Sequence, residues 1–398
     1  MKISENCKYV MNTYTRYPIK LVRGEGVKVW DDEGREYLDF VAGIAVNCLG
    51  YSHPEIISTI VSQAEKIIHC SNLYWNESQI NLAKILCEKS FGHSVFFCNS
   101  GAEANEGALK LARKYGRLKY GEKRYKIITT LNSFHGRTYG ALTATGQEKY
   151  HKHFEPLVGG FSYVKYNDID ELQSAVDEST CAVILEVIQG EGGVNEADET
   201  YLKEVRRLCN EHDILLIFDE VQTGIGRTGK LFAYEHSGVE PDIMTLAKGL
   251  GGGIPIGALV VNEKADVFSP GEHASTFGGN PLACEVGITV MNLVSQPNFL
   301  ETVQKQGDFL KSKLLELKKK YNVIKRVKGK GLMIGCELNI EDAQEIVKLA
   351  LKKGLLINAV SKNILRFVPP LIVTQEDVSK AIDILEETFI EMDFKSNM

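Results

Sequence analysis

Three polar residues stand where apolar runs end, and their types suit them to covalent and charge-stabilising chemistry. Lys248 follows "IMTLA" and opens "KGLGGG". Burying an unpaired ammonium costs on the order of several kcal/mol, while the glycines beside it let another group approach closely. An amine so placed can attack a carbonyl. Asp219 ends "ILLIF", and a carboxylate at such an edge calls for a cation or several donors. Ser100, in "CNSGAEANE", sits between a strand-like run and a helix-like one, where first-turn N–H groups and a hydroxyl form a ready phosphate site. Ser100 and Glu103 also have the S-x-x-E spacing of a capping box, which needs no ligand.

The elements that must position these residues alternate. "SVFFC" (94–98) precedes a stretch whose apolar Ala104, Ala108, Leu111, Ala112 and Tyr115 recur at helical spacing. Then come "YKIITT", "CAVILEV", the helix-like "TYLKEVRRLCNEH", "ILLIF", "DIMTLA" and "GALVV". Short β-branched runs without clean alternation read as strands covered on both faces, hence an α/β fold with a mainly parallel sheet. Ligands of such sheets lie at the carboxyl ends of the strands, where Ser100, Asp219 and Lys248 all fall. The expected division is an N-terminal segment 1–50 joined to a smaller α+β domain at 291–398, with a large domain over 51–290. The smaller domain begins with a long charged helix at 297–320 and includes "GLMIGCEL", "GLLINAV" and "ILRFVPPL".

A lysine for a cofactor aldehyde and a carboxylate for a ring nitrogen form the constellation of pyridoxal phosphate (PLP). "GIGRTG" (224–229) matches a dinucleotide fingerprint but fails its context. "DEVQT" separates it from the strand, and Glu240 comes too soon for the acidic partner. In "NSFHGRT", Phe134 could stack on a flat ring and Arg137 could clamp a carboxylate; a core Phe and a surface Arg are the plainer alternatives. "STFGGNP" offers the loop hydroxyls Ser275 and Thr276, and loop hydroxyls commonly form turns. His151 and His153 read as solvated rather than metal-binding.

The net charge of −6 over 398 residues argues against nucleic acid or anionic membrane as partner. Nine cysteines, none in a C-x-x-C pair, favour a reducing, cytoplasmic compartment over disulfides or zinc. "MKISENCKYVMNTY" has no signal-peptide core, and the apolar runs are too short to span a bilayer.

Taken in order, "RGEGVKVWDDEGREYLDF", "VFFCNSGAEANE", "FHGRT", "EVIQGEGG", "IFDEVQTGIGRTG", "TLAKGLGGG", "STFGGNP" and "RFVPPL" cover nearly the whole chain. With them the sequence resembles the class III (subgroup II) PLP-dependent aminotransferases. Val187 stands where that pattern usually has proline, and Tyr51 where it often has histidine. The resemblance implies PLP-dependent transferase fold type I, with Lys248 covalently holding the cofactor and then moving a proton, and Asp219 on its ring nitrogen. It implies that Gln222 lies near the ring hydroxyl, with Val221 and Phe134 on opposite ring faces. Ser100, Gly101 and Ala102 would take the phosphate, Glu220 would belong to the same cofactor grip, and Thr276 would reach in from the partner of a homodimer. Arg137 with Ser275 would hold a substrate carboxylate, and Glu191 would mask Arg366. "GIAVN" and "SNLYWNESQ" are most similar to the branch acting on N2-acetylornithine and 2-oxoglutarate. Ornithine, 4-aminobutyrate or succinyl-diaminopimelate as donor, an aminomutase, and a non-catalytic binding protein on the same fold remain alternatives.

Overall fold

The structure, a computed structural model, describes residues 9–394. Residues 1–8, which include Cys7 and most of the apparent non-signal start, and residues 395–398 at the end of the expected small domain lie outside it.

Seven strands form the central sheet: β1 (Ser94–Cys98), β2 (Lys126–Thr130), β3 (Phe161–Val164), β4 (Thr180–Leu185), β5 (Leu215–Asp219), β6 (Ile243–Leu246) and β7 (Gly257–Val261). Their spatial order is β1-β7-β6-β5-β4-β2-β3. Pairings from β6 through β5, β4 and β2 to β3 are parallel. β7 runs antiparallel to both β6 and β1, so β1, β5 and β6 point the same way. Their carboxyl ends share one edge: Asp219 is the last residue of β5, and the chain just after β1 and β6 supplies Ser100 and Lys248. β3 is a four-residue edge strand that gives little sequence signal.

The rigidity of that edge comes from what lies beneath it. Leu215, Leu216, Ile217 and Phe218 of β5 are wholly buried. Each such side chain contributes about 1.5–3 kcal/mol relative to exposure. Helix α1 (Gly101–Tyr120) turns Ala104, Ala108, Leu111, Ala112 and Tyr115 inward. Its N-cap is only half a capping box. The Ser100 hydroxyl accepts from the Glu103 N–H at 3.2 Å, but the Glu103 carboxylate reaches back one residue further and accepts from the Asn99 N–H at 2.6 Å.

A second, antiparallel sheet has the order Ile324–Lys330, Met333–Leu338, Ile364–Phe367, Asn358–Val360. Helices Pro297–Lys320 and Gln375–Glu391 accompany it. Three N-terminal strands, Leu21–Glu25, Lys28–Asp31 and Glu36–Asp39, form a third sheet completed by Leu355–Leu356, which lies parallel to Glu36–Asp39. "GLLINAV" is thus shared between two sheets. Ile357 separates a strand of the third sheet from a strand of the second. The "GIGRTG" turns tie the two halves of the chain together, because the buried Arg227 guanidinium donates to the carbonyls of Leu332 (2.9 Å) and Pro369 (2.6 Å). No helix among the described residues is long and apolar enough to cross a membrane.

Candidate active site

At the carboxyl edge lies a cavity of about 440 Å³ lined by Ser100, Gly101, Ala102, Phe134, Arg137, Asp219, Val221, Gln222 and Lys248. Asn99, Asn105, His135 and Glu186 also line it.

Asp219, 4% exposed, is the most fully partnered group. Its Oδ2 accepts from Asn105 Nδ2 and His135 Nδ1, both at 2.8 Å, and its Oδ1 accepts from the Val221 N–H at 3.0 Å. The donors hold it as an oriented carboxylate. His135 Nε2 is buried with no hydrogen-bond partner among the described residues, so the contact to Asp219 is made through Nδ1 alone. The carboxyl of Glu186 accepts from the Phe134 and Gly190 N–H groups, each at 3.1 Å. Burial, and then the charge of Asp219, push it well above the usual carboxylate range.

Lys248 begins a short 3-10 turn with φ of 43°. Its amine makes no hydrogen bond or ion pair among the described residues. Burial lowers its amine below the ordinary value, Glu191 opposes that shift and Arg366 adds to it. The neutral, nucleophilic form of the amine is thereby favoured.

Arg366, on strand Ile364–Phe367, is fully buried. Its Nη1 donates to Glu191 Oε1 at 2.5 Å and to Gln222 Oε1 at 3.1 Å, while Nη2 has no hydrogen-bond partner among the described residues. Burial works against ionisation of Glu191, yet Arg366 outweighs it and holds that carboxyl below its usual value. Arg137 is exposed and stacks over the Tyr150 ring at 3.9 Å, with Phe134 edge-on to the same ring.

Some residues are not brought to the cavity. Glu220 turns the other way: its carboxylate accepts from the N–H groups of Ala233 and Tyr234 and from the Thr223 hydroxyl, each at 2.8 Å. It is a buried cap for the turn Ala233–His236, since successive residues at a strand end face opposite sides. Ser275 stands one residue back, its hydroxyl accepting from Asn99 Nδ2 at 3.1 Å. Thr276 is exposed. His151 is not solvated as its sequence suggests; it is half-buried with Nε2 2.9 Å from the Leu142 carbonyl. Asn105, His135, Glu186 and Tyr150 were not singled out from sequence. The one available signal was a polar residue, Asn105, on the apolar face of α1.

The cavity suits a flat, phosphorylated heterocycle. Helix geometry leaves the Gly101 and Ala102 N–H groups without intrahelical acceptors. A Cβ at Gly101 would lie 2.6 Å from Val221 Cγ1, and one at Gly136 2.7 Å from Ala102 Cβ, so only glycine permits this close approach. An oriented carboxylate and an unpaired amine complete the donor set. Fold and site together place the chain among the PLP-dependent transferases of fold type I.

Comparison with known proteins narrows this. The family described as aminotransferase class-III matches residues 9–389. An acetylornithine aminotransferase of Caldanaerobacter subterraneus subsp. tengcongensis is 66% identical over 387 residues, 97% of this chain and 98% of that protein. The ornithine aminotransferase of Toxoplasma gondii ME49 superposes with a TM-score of 0.93 at 34% identity, covering 98% of this chain and 94% of that one. The N-acetylornithine aminotransferase of Stenotrophomonas maltophilia K279a gives 0.85 at 37% identity, covering 97% and 98%. The chain belongs to the class III aminotransferases.

Proposed function

We propose that the chain transfers an amino group between N2-acetyl-L-ornithine and 2-oxoglutarate, giving N-acetylglutamate 5-semialdehyde and glutamate, a step of arginine biosynthesis. The enzyme is a PLP-dependent aminotransferase acting on small molecules. PLP, when bound, supplies an aldehyde that carries nitrogen between the two substrates and a ring that accepts electron density. Gly101, Ala102 and Ser100 would hold its phosphate, Val221 and Phe134 would contact its ring, and Gln222 would meet the ring hydroxyl. Asp219, fixed by Asn105 and His135, keeps the ring nitrogen protonated; a charged hydrogen bond of this kind contributes about 1.5–3 kcal/mol. The Lys248 amine anchors the cofactor and then carries a proton to and from the carbon bearing the transferred nitrogen, which accelerates such steps roughly 10²–10⁴-fold.

The observation that carries two-substrate transfer is Glu191 on buried Arg366 beside Lys248. Glutamate brings a carboxylate next to its reacting amine, and N2-acetylornithine brings none there. With Glu191 in place Arg366 is masked for the second substrate; with Glu191 displaced it clamps the first. Arg137 takes the far carboxylate, and Ser275, whose hydroxyl is held by Asn99, joins it in this reading. The donor follows the relative that is 66% identical. Ornithine as donor is the second reading, favoured by the TM-score of 0.93 to the ornithine enzyme. A panel of N2-acetylornithine, ornithine, 4-aminobutyrate and succinyl-diaminopimelate with 2-oxoglutarate tests both. The highest kcat/KM for any donor but the first overturns the assignment.

A homodimer with a shared site belongs to the same proposal, with Thr276 of each chain serving the other's phosphate. Leu73, Tyr74 and Trp75, exposed by 83%, 70% and 87%, and Phe277 by 62%, supply an apolar surface that a second copy would cover. In the proposed division into 1–50, 51–290 and 291–398, the joining of the first segment to the last is supported by the pairing of Leu355–Leu356 with Glu36–Asp39, while helix Pro281–Val294 runs across the 290/291 boundary. A cytoplasmic location fits the biosynthetic role and the free cysteines.

A further inference from the structure

A second cavity, about 800 Å³ and larger than the active site, opens where strand Ile324–Lys330 faces the hairpin that carries Glu191. Arg326, Lys328 and Lys330 occupy alternate positions of that strand and all line the cavity; alternate residues of a strand share one face. Lys328 is only 8% exposed, and among the described residues its ammonium makes one hydrogen bond, to a neutral acceptor, Asn195 Oδ1, at 2.7 Å. Arg326 forms no ion pair among the described residues. Lys165 also lines the cavity and lies 3.6 Å from Glu171.

Of the three acids that share the lining, Glu196 and Glu199 are engaged and Asp198 is not. Glu199 pairs with Lys203 at 2.6 Å. Glu196 accepts from the Gly329 N–H at 2.7 Å and lies 4.0 Å from Lys330. Asp198, the N-cap of helix Glu199–Glu211, makes no side-chain cap bond, and that helix presents the positive end of its dipole there. A nearly buried ammonium satisfied by a single amide oxygen is expensive unless an anion joins it. Burial, then Lys330, also hold nearby His236 neutral, with its pKa lowered to about 4, as a cationic cavity would.

We propose that this cavity binds a small oxyanion, phosphate- or carboxylate-bearing, with Lys328 as its central ligand and Arg326 and Lys330 beside it. Asn195 and Glu196 form one strand of the Glu191 hairpin, so an oxyanion that draws Lys328 away from Asn195 acts on the base of the segment whose tip pairs with Arg366.

The test uses PLP-loaded enzyme, so that the cofactor's own phosphate site is filled, and two probes: inorganic phosphate and tricarballylate. Calorimetry should show saturable binding, near one equivalent per chain, of one or both probes. Phosphate alone would point to phosphorylated ligands and tricarballylate alone to polycarboxylates. Lys328→Met should weaken binding about tenfold or more, and Arg326→Gln, at an exposed position that leaves folding intact, severalfold. Hydrogen exchange in 188–196 should change on binding in wild type only. No saturable binding of either probe, or equal binding by all three proteins, overturns the proposal. Binding is read without turnover, so the outcome is independent of the donor assignment.

Discussion

Arg366 and Glu191 are 175 positions apart in the chain and 2.5 Å apart in the fold. Their partners differ in a telling way: Glu191 is satisfied by the pair, while Arg366 keeps one buried N–H group idle. A guanidinium with an unused donor in a dry setting is prepared for another carboxylate.

Glu191→Gln should therefore separate the two half-reactions. With the mask weakened, kcat/KM for N2-acetylornithine is expected to fall about tenfold, or ~1.4 kcal/mol, while the glutamate half-reaction changes less. Single-turnover absorbance of each half-reaction measures this. Equal effects on both would remove the masking role.

Lys248→Ala should retain PLP through its phosphate grip and lose turnover by more than about 10⁴-fold. Borohydride trapping of wild type followed by peptide mapping should label position 248. A label elsewhere, or undiminished turnover by the variant, would end the assignment.

Asp219→Asn should lower kcat about 10²–10³-fold, the range seen when a preorganised electrostatic group is lost. His135→Phe removes one of the donors orienting Asp219 and should cost about tenfold in kcat. Steady-state kinetics at saturating substrates checks both. If His135→Phe proved as damaging as Asp219→Asn, the histidine would have a direct part in the chemistry.

Trp75→Glu places a charge in the proposed contact between copies. Sedimentation should show wild-type dimers and variant monomers, with faster PLP loss in the variant because Thr276 of the second copy is gone. A wild-type monomer that retains full activity would contradict the shared site.

His236 provides a pH signature. Burial, then Lys330, lower its folded pKa to about 4 from an ordinary 6.5. Between those values the unfolded chain binds the proton and the folded chain does not. Stability therefore falls as pH drops from about 6.5 to about 4, and the penalty is complete below that. His236→Gln, which keeps a donor for the Thr228 hydroxyl 3.0 Å away, should flatten Tm against pH in this window. An unchanged slope would show that His236 does not carry the effect.

Much of the site could be read from sequence because strand ends announce themselves. Lys248 and Asp219 are polar residues that stop apolar runs, and a parallel sheet collects such stops on one edge. Contacts made across the fold gave no such mark. Asn105 and His135 reach Asp219 from 114 and 84 positions away; Asn105 could be marked only as a polar residue on an apolar helix face, and nothing in its local pattern distinguishes His135 from any loop histidine. Glu220 was drawn into the cofactor set by adjacency to Asp219, whereas the alternation of a strand end sends it to a separate buried cap. Composition could show that "GALVV" is a strand but not that it runs antiparallel, and it could not show that Ile357 divides "GLLINAV" between two sheets.

The reversal of β7 bears on the catalytic lysine. Because β6 and β7 are neighbours of opposite direction, the stretch from Ala247 to Ile256 is clasped at both ends by the same ladder of hydrogen bonds. A side chain that lets go of its cargo and reclaims it in every cycle is thus mounted on a closed loop rather than a free arm, and resetting the catalyst asks for bond rotations within one residue while the backbone stays docked.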